Sequence, residues 1–307
     1  MVRHFLSIDA LDPAALSDLL DRADALKAER AAGQRTRHDL AGRTVGMIFE
    51  KPSTRTRVSF EVGIGELGAT PLVLSATDLQ LGRGETVEDT ARVLSRYVDA
   101  LVVRTFAQSR LETLAGAGSV PIVNALSDLD HPCQALADLQ TIRAATGGLA
   151  GRRLTYLGDG NNVAHALLLA GGLSGLDVTV AHPAGFAPQP AVLDRARVLA
   201  AASGARLVAT TDVQAALSGA DVLYTDVWAS MGQEEEAAAR RRAFAAYQLD
   251  ADALAAAGQD AFVMHCLPAH RGEEISAAVL DGPRSIVWEQ AENRLHAQKA
   301  LLLDLLG

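Results

Sequence analysis

Aromatic side chains make up only 4% of this 307-residue sequence, so stacked rings do not build its core. Alanine and leucine must fill the interior instead, which suits helices laid on sheets better than an all-β sandwich. Cysteine is nearly absent: Cys133 and Cys266 are too few for a disulfide framework and fit a reducing compartment. Long apolar runs are missing as well. The longest uncharged one, residues 163–176, is broken by glycines and too short to span a bilayer. Residues 1–16 carry Asp9 and Asp12 without a continuous apolar core, so no secretory signal is expected and the protein reads as cytoplasmic, with no membrane partner. Positive charge is in deficit. At a net charge of -9 and a pI near 5.4, the chain has no basic stripe to lie along a nucleic acid.

What is present is alternation. The length exceeds what one hydrophobic core usually supports, so two domains are expected. Valine- and isoleucine-rich runs at 44–49, 71–74, 99–103 and 121–124 read as strands, with helices such as 86–97 and 109–115 between them. The pattern resumes with strands at 153–157, 178–181, 206–209, 222–225 and 262–265. This predicts an α/β fold of two doubly wound domains, each a parallel sheet flanked by helices. A helix over 131–145 followed by Thr146-Gly147-Gly148 sets the first break. The expected domains are 1–146 and 147–287, with 288–307 an amphipathic helix packing back on the first. A charged run, Gln233 to Glu236 and then Arg240-Arg241-Arg242, reads as a solvated helix or loop, and Trp228 and Trp288 read as core.

Ligands of open α/β sheets sit at the carboxyl ends of strands, and four polar clusters fall there. Ser53-Thr54-Arg55-Thr56-Arg57 follows the first strand and opens a helix, where free backbone N–H groups and the helix dipole join hydroxyls and guanidinium forks. A small phosphate fits that cradle. Arg104 follows the third strand, His131-Pro132-Cys133-Gln134 follows the fourth, and His265-Cys266-Leu267-Pro268 follows the last. Singly, each has a bland reading as a helix cap, a salt-bridge partner or a packed side chain. Their coincidence at strand ends is what points to a site.

The set S-T-R-T-R, H-P-x-Q, D-x-W-x-S-M-G and H-C-L-P, spread in that order from Phe49 to Lys299, resembles the aspartate/ornithine carbamoyltransferase superfamily. Asp226-Val227-Trp228-Ala229-Ser230-Met231-Gly232 and His265-Cys266-Leu267-Pro268 point to its ornithine branch. The resemblance implies transfer of a carbamoyl group from carbamoyl phosphate to the δ-amine of L-ornithine, giving citrulline and phosphate in arginine biosynthesis, with no cofactor and no metal. It implies that the active site lies in the cleft between the two domains and that Ser53, Thr54, Arg55, Thr56 and Arg57 hold the phosphate. Arg104, His131 and Gln134 would meet the carbamoyl end, Arg104 and His131 polarising its carbonyl oxygen, and Arg294 would add a further contact. Gln80 would reach in from a neighbouring subunit, since the family forms homotrimers with shared active sites. Asn162, Asp226, Ser230 and the backbone of Met231 would bind ornithine, while Cys266 and Leu267 lie where the two substrates meet.

The chemistry agrees. Negative charge develops on the carbonyl oxygen as the amine attacks, and losing one donor aimed at such an oxygen typically costs about 3 kcal/mol. An amine with a pKa of about 10.4 is about a thousandfold short of its free form at neutral pH, so Asp226 and Cys266 would orient it and relay its proton. Cys266 serves either as the base or as an orienting donor. The loop Ser230-Met231-Gly232 is expected to close over the amino acid.

Other signals fall away. Gly158-Asp159-Gly160-Asn161-Asn162-Val163 lacks the third glycine of a dinucleotide fingerprint, and the next strand is followed by His182 in place of an acid for the ribose. This disfavours a nicotinamide-dependent dehydrogenase. His131, His265, His270 and His296 lack metal-ligand spacing, and Cys133 reads as packing. An aspartate-specific enzyme would carry a lysine where residues 78–85 have Arg83 and none.

Overall fold

A computed structural model describes residues 2–75, 84–229 and 236–307. The N-terminal part runs α1 (Pro13–Ala31), β1 (Thr44–Phe49), α2 (Thr54–Glu66), β2 (Thr70–Ser75), α3 (Val87–Leu94), β3 (Ala100–Arg104), α4 (Gln108–Ala117), β4 (Ile122–Leu126) and α5 (Pro132–Thr146). There follow β5 (Arg153–Leu157), α6 (Asn162–Ser174), β6 (Asp177–Ala181), α7 (Pro190–Ser203), β7 (Leu207–Thr210), α8 (Val213–Leu217) and β8 (Val222–Thr225). The chain ends with α9 (Ala237–Phe244), α10 (Ala251–Ala257), β9 (Phe262–His265), α11 (Ala277–Leu280) and α12 (Val287–Leu306).

The strands form two sheets, ordered β2-β1-β3-β4 and β7-β6-β5-β8-β9, and their pairings are parallel. Central strands such as β3 and β8 are buried at every position, which is why they read as unbroken apolar runs without alternation. In the first sheet the chain winds from β1 outward to β2 and then crosses to β3. In the second it winds from β5 out to β7 and then crosses to β8. The reversals fall between β1 and β3 and between β5 and β8, and such switch points are where open α/β sheets leave a crevice for ligands. The residues leaving these four strands therefore hold the privileged positions.

Local chemistry sets the helix starts. The Ser53 hydroxyl caps α2 by accepting from Thr56 N–H at 3.3 Å, and Thr86 caps α3 by accepting from Asp89 N–H at 3.1 Å. The Asn161 side chain caps α6, which ends at Gly175 in the left-handed conformation at φ 80°. Helix α6 is buried from Val163 to Leu173, which accounts for its uncharged run. Gly160 is obligatory for packing: a Cβ there would lie 2.2 Å from Pro188 N.

Contacts divide the chain into one unit of Met1–Gln140 with Asn293–Gly307 and another of Thr141–Glu292. The divisions fall inside α5 and α12, whereas the sequence marks only the end of the one helix, at 146, and the start of the other, at 288. Each unit has its own core. Val103, Leu111 and Leu114 belong to the first, and Leu157, Leu223, Val263 and Ile275 to the second.

Two expectations need correction. Helix α12 is not simply amphipathic: residues 293–303 are buried throughout, and polar members are tied to the first unit, Lys299 Nζ donating to Glu66 Oε2 at 2.8 Å and Asn293 Oδ1 accepting from Lys27 Nζ at 2.9 Å. Pairing lets polar residues occupy a buried face, and hydrophobic periodicity is blind to it. Trp288, read as core, is 61% exposed at the start of the same helix. No helix among the described residues is long and apolar enough to cross a membrane.

Candidate active site

In the first unit, the end of β1 is tied to the neighbouring strand before the cradle begins. Glu50 accepts from Thr105 Oγ1 and from Arg110, and its N–H donates to the carbonyl of Arg104 at 2.9 Å. Helix α2 then starts at Thr54 with its N-terminus at the sheet's switch point. Thr56 is buried, and its Oγ1 accepts from Arg294 Nη2 at 3.0 Å. Arg294 Nη1 donates to Gln134 Oε1 at 2.6 Å, and Gln134 Nε2 donates to Asp138 Oδ1 at 2.8 Å. This chain of bonds fixes the Gln134 amide, because only its oxygen can accept from a guanidinium. Three elements distant in sequence, α2, α5 and α12, are thereby locked in one register.

His131 sits just before α5, buried, with no partner on Nδ1. Burial and then the guanidiniums of Arg294, Arg104 and Arg55 push its pKa well below the ordinary 6.5, so it is neutral at physiological pH. Three guanidiniums acting on one neutral imidazole make this a locally positive site suited to an anion. Arg104 is almost buried and stands where the register of β3 against β4 slips. Arg57 lies apart. Its side chain is 55% exposed and pairs with Glu61 along the helix at 3.4 Å. Ser53 and Thr54 remain at the helix start, half-buried and exposed respectively. Cys133 is buried and donates to Asn124 O at 3.4 Å; burial pushes its thiol pKa up to about 12, which leaves it inert.

In the second unit, the residues after β5, β8 and β9 converge. Asp226 follows β8 and is buried; its Oδ1 accepts from Cys266 Sγ at 2.9 Å and its Oδ2 accepts from Asn161 Nδ2 at 3.1 Å. Cys266 is therefore a thiol facing a carboxylate. Asn162 is the first residue of α6 and half-buried. Leu267 holds φ 60°, a left-handed conformation costly for a branched side chain. Its N–H donates to His265 Nδ1 at 2.8 Å, so the imidazole carries its proton on Nε2, which faces Glu274 Oε1 at 3.1 Å. Glu274 is fully buried, and burial alone would raise its pKa. The hydrogen bonds from His265 and from the N–H of His270 outweigh that and hold it below the ordinary value.

Gln80, Ser230 and Met231 lie outside the described residues. Asn161, Glu274 and Arg240 emerge from the structure and not from the motifs. Arg240, expected in a solvated run, is 5% exposed: it donates to Trp228 O and to Asp159, and it covers the Phe186 ring at 4.9 Å. The half-buried Asp159 pairs with it there, and no local pattern announces such a partner. Trp228 is buried, as the sequence suggests.

Comparison with known proteins gives a consistent picture. Residues 3–144 match the family described as aspartate/ornithine carbamoyltransferase, carbamoyl-P binding domain. Residues 150–305 match its Asp/Orn binding domain. The chain is 61% identical over 307 residues to an ornithine carbamoyltransferase of Acidothermus cellulolyticus, covering 100% of this chain and 97% of that one. Among solved structures, it resembles the ornithine carbamoyltransferase of Pyrococcus furiosus with a TM-score of 0.96 at 50% identity, covering 99% and 97% of the two chains. It also resembles the anabolic ornithine carbamoyltransferase of Campylobacter jejuni with a TM-score of 0.92 at 37% identity, covering 99% of each chain.

Proposed function

The chain belongs to the aspartate/ornithine carbamoyltransferase family, and from that premise we propose which of its residues carry the reaction. The enzyme moves the carbamoyl group of carbamoyl phosphate to the δ-amine of L-ornithine, yielding L-citrulline and phosphate. The observation that supports this reading best is the buried His131, its Nδ1 without a hydrogen-bond partner and its imidazole kept neutral by burial and by the field of Arg294, Arg104 and Arg55.

Carbamoyl phosphate brings two charges and a carbonyl. Ser53, Thr54, Arg55 and Thr56 at the start of α2 hold the phosphate, which also meets the helix dipole, while Arg57, expected among them, is turned to Glu61 and left out. Arg104 and His131 donate toward the carbonyl oxygen, where negative charge grows during attack. A neutral imidazole suits that role, because it can donate without adding another cation beside three guanidiniums. Gln134 and Arg294 fix the pocket and touch the carbamoyl end, and Gln80 from a neighbouring subunit completes it. The carbamoyl phosphate domain takes in residues 1–146 with the returning 288–307, a few residues beyond the contact unit at each helix.

Residues 147–287 bind the amino acid through Asn162, Asp226, Ser230 and the backbone of Met231, with Cys266 and Leu267 beside the reacting amine. Asp226 takes the amine proton first. Cys266 begins as a thiol hydrogen-bonded to that carboxylate, so it accepts a proton only after giving up its own. Its first role is orientation. A carboxylate at the amino-acid site favours an ammonium-bearing acceptor and opposes the second carboxylate of aspartate.

The enzyme works as a cytoplasmic homotrimer in arginine biosynthesis. The test is phosphate release from carbamoyl phosphate with ornithine, putrescine, acetylornithine and aspartate in parallel. Ornithine alone should give turnover near the family's usual rates, and preference for any other acceptor overturns the assignment.

A further inference from the structure

We propose that Asn161, the residue before the expected ornithine ligand Asn162, is a positioning residue that sets the orientation of the Asp226 carboxylate. The inference rests on the reading of Asp226 as the group that receives the substrate amine.

The Asn161 side chain has two ends with separate duties. Its Oδ1 accepts from Val163 N–H at 2.9 Å and Ala164 N–H at 3.2 Å, capping α6, and from Tyr156 OH at 3.3 Å. Backbone N–H groups can only donate, so the oxygen must face the helix and the amide cannot be flipped. The NH2 end is thereby aimed away from the helix, and it meets Asp226 Oδ2 at 3.1 Å. The opposite oxygen, Oδ1, takes the Cys266 thiol at 2.9 Å. Asp226 is thus gripped from both sides, by a residue leaving β5 and a residue leaving β9, while it leaves β8 itself. A carboxylate held by one partner can rotate about its Cα–Cβ and Cβ–Cγ bonds. Held by two, it keeps its remaining lone pairs aimed at one place. The grip also needs a rigid anchor, and the cap supplies one by fixing Asn161 to the first turn of a buried helix.

Serine and aspartate are both good N-caps, so substitutions can separate the two duties. N161S keeps a capping oxygen but is too short to reach Asp226; N161D keeps the cap and replaces the donor with a second carboxylate. Both should melt close to the parent enzyme. KM for ornithine should rise about tenfold in N161S, the worth of one hydrogen bond to a charged group, and more in N161D. KM for carbamoyl phosphate should stay within about twofold in either. D226N, measured alongside, tests the underlying reading. If D226N leaves KM for ornithine unchanged, Asp226 does not receive the amine and the proposal falls with that reading. If D226N weakens ornithine while N161S and N161D do not, the positioning role alone is overturned. A uniform loss in kcat, both KM values and melting temperature is what a mere cap would give, and it also overturns the proposal.

Discussion

A neutral imidazole among guanidiniums has a thermodynamic signature. The folded pKa of His131 lies well below 6.5, so above that pH the residue is uncharged in both the folded and unfolded states and contributes no pH dependence. Below 6.5 the unfolded chain takes up a proton that the folded chain refuses, and stability falls as pH falls, by at most about 1.4 kcal/mol per pH unit until the folded pKa is reached. Urea unfolding of the parent and of H131Q should give parallel stabilities above that value and diverging ones below it, the parent losing more. Identical slopes would mean that His131 titrates normally. Glu274 gives a second prediction at this scale. Its Oε2 is buried without a hydrogen-bond partner, so E274Q would bury an amide donor there with nothing to accept it. The expected cost is about 1–3 kcal/mol in unfolding free energy, together with a lower kcat, because the His265 imidazole that holds the Leu267 turn loses its charged acceptor. Single residues were also where the sequence was least complete. The H-C-L-P run is readable as a motif, yet the Glu274 that fixes its histidine lies at a spacing no general rule singles out.

Elements were far more legible. Strand runs at 44–49, 153–157, 222–225 and 262–265 coincide with β1, β5, β8 and β9, because strands buried along most of their length leave predominantly apolar runs. The expected helix over 86–97 is α3 with its threonine cap and a C-terminal turn. Helix α12 resisted such reading. Lys299 and Arg294 look like the polar face of a surface helix, but Glu66, Gln134 and Thr56 receive them in the interior. Those partners come from elsewhere in the chain, so only tertiary contact reveals them. Arg294 shows what this costs to disturb. R294M would leave Gln134 Oε1 and Thr56 Oγ1 without that donor, and should raise KM for carbamoyl phosphate at least tenfold, by the usual worth of a charged hydrogen bond, while KM for ornithine stays within about twofold. Equal effects on the two substrates would show that α12 acts only as scaffold.

At the scale of the whole molecule, the exposed apolar side chains are distributed unevenly. Val58 and Val62 on α2, Leu72 on β2, Val93 on α3 and nearby Tyr97 are exposed, and all belong to the unit that carries the cradle. Strand β2 is also an edge of its sheet, a position that soluble proteins normally blunt or cover. It runs directly into the sequence segment containing Gln80. An open sheet edge carrying an exposed leucine, and leading to the residue expected to act in a neighbour's site, is what a trimer with shared sites requires. Sedimentation of the parent should therefore give the mass of three 32.2 kDa chains. The double variant L72K/Y97E should sediment as monomer and lose activity although its own cradle is untouched. Subunit mixing makes the sharing itself visible. Q80A and R104A should each be inactive alone, but a mixed trimer contains interfaces where an intact Arg104 meets an intact Gln80 from the next chain. Activity should then return after dissociation and reassembly of the two together. If the chains demonstrably exchange and no activity returns, Gln80 serves its own subunit and the trimer, if present, is not built around the chemistry.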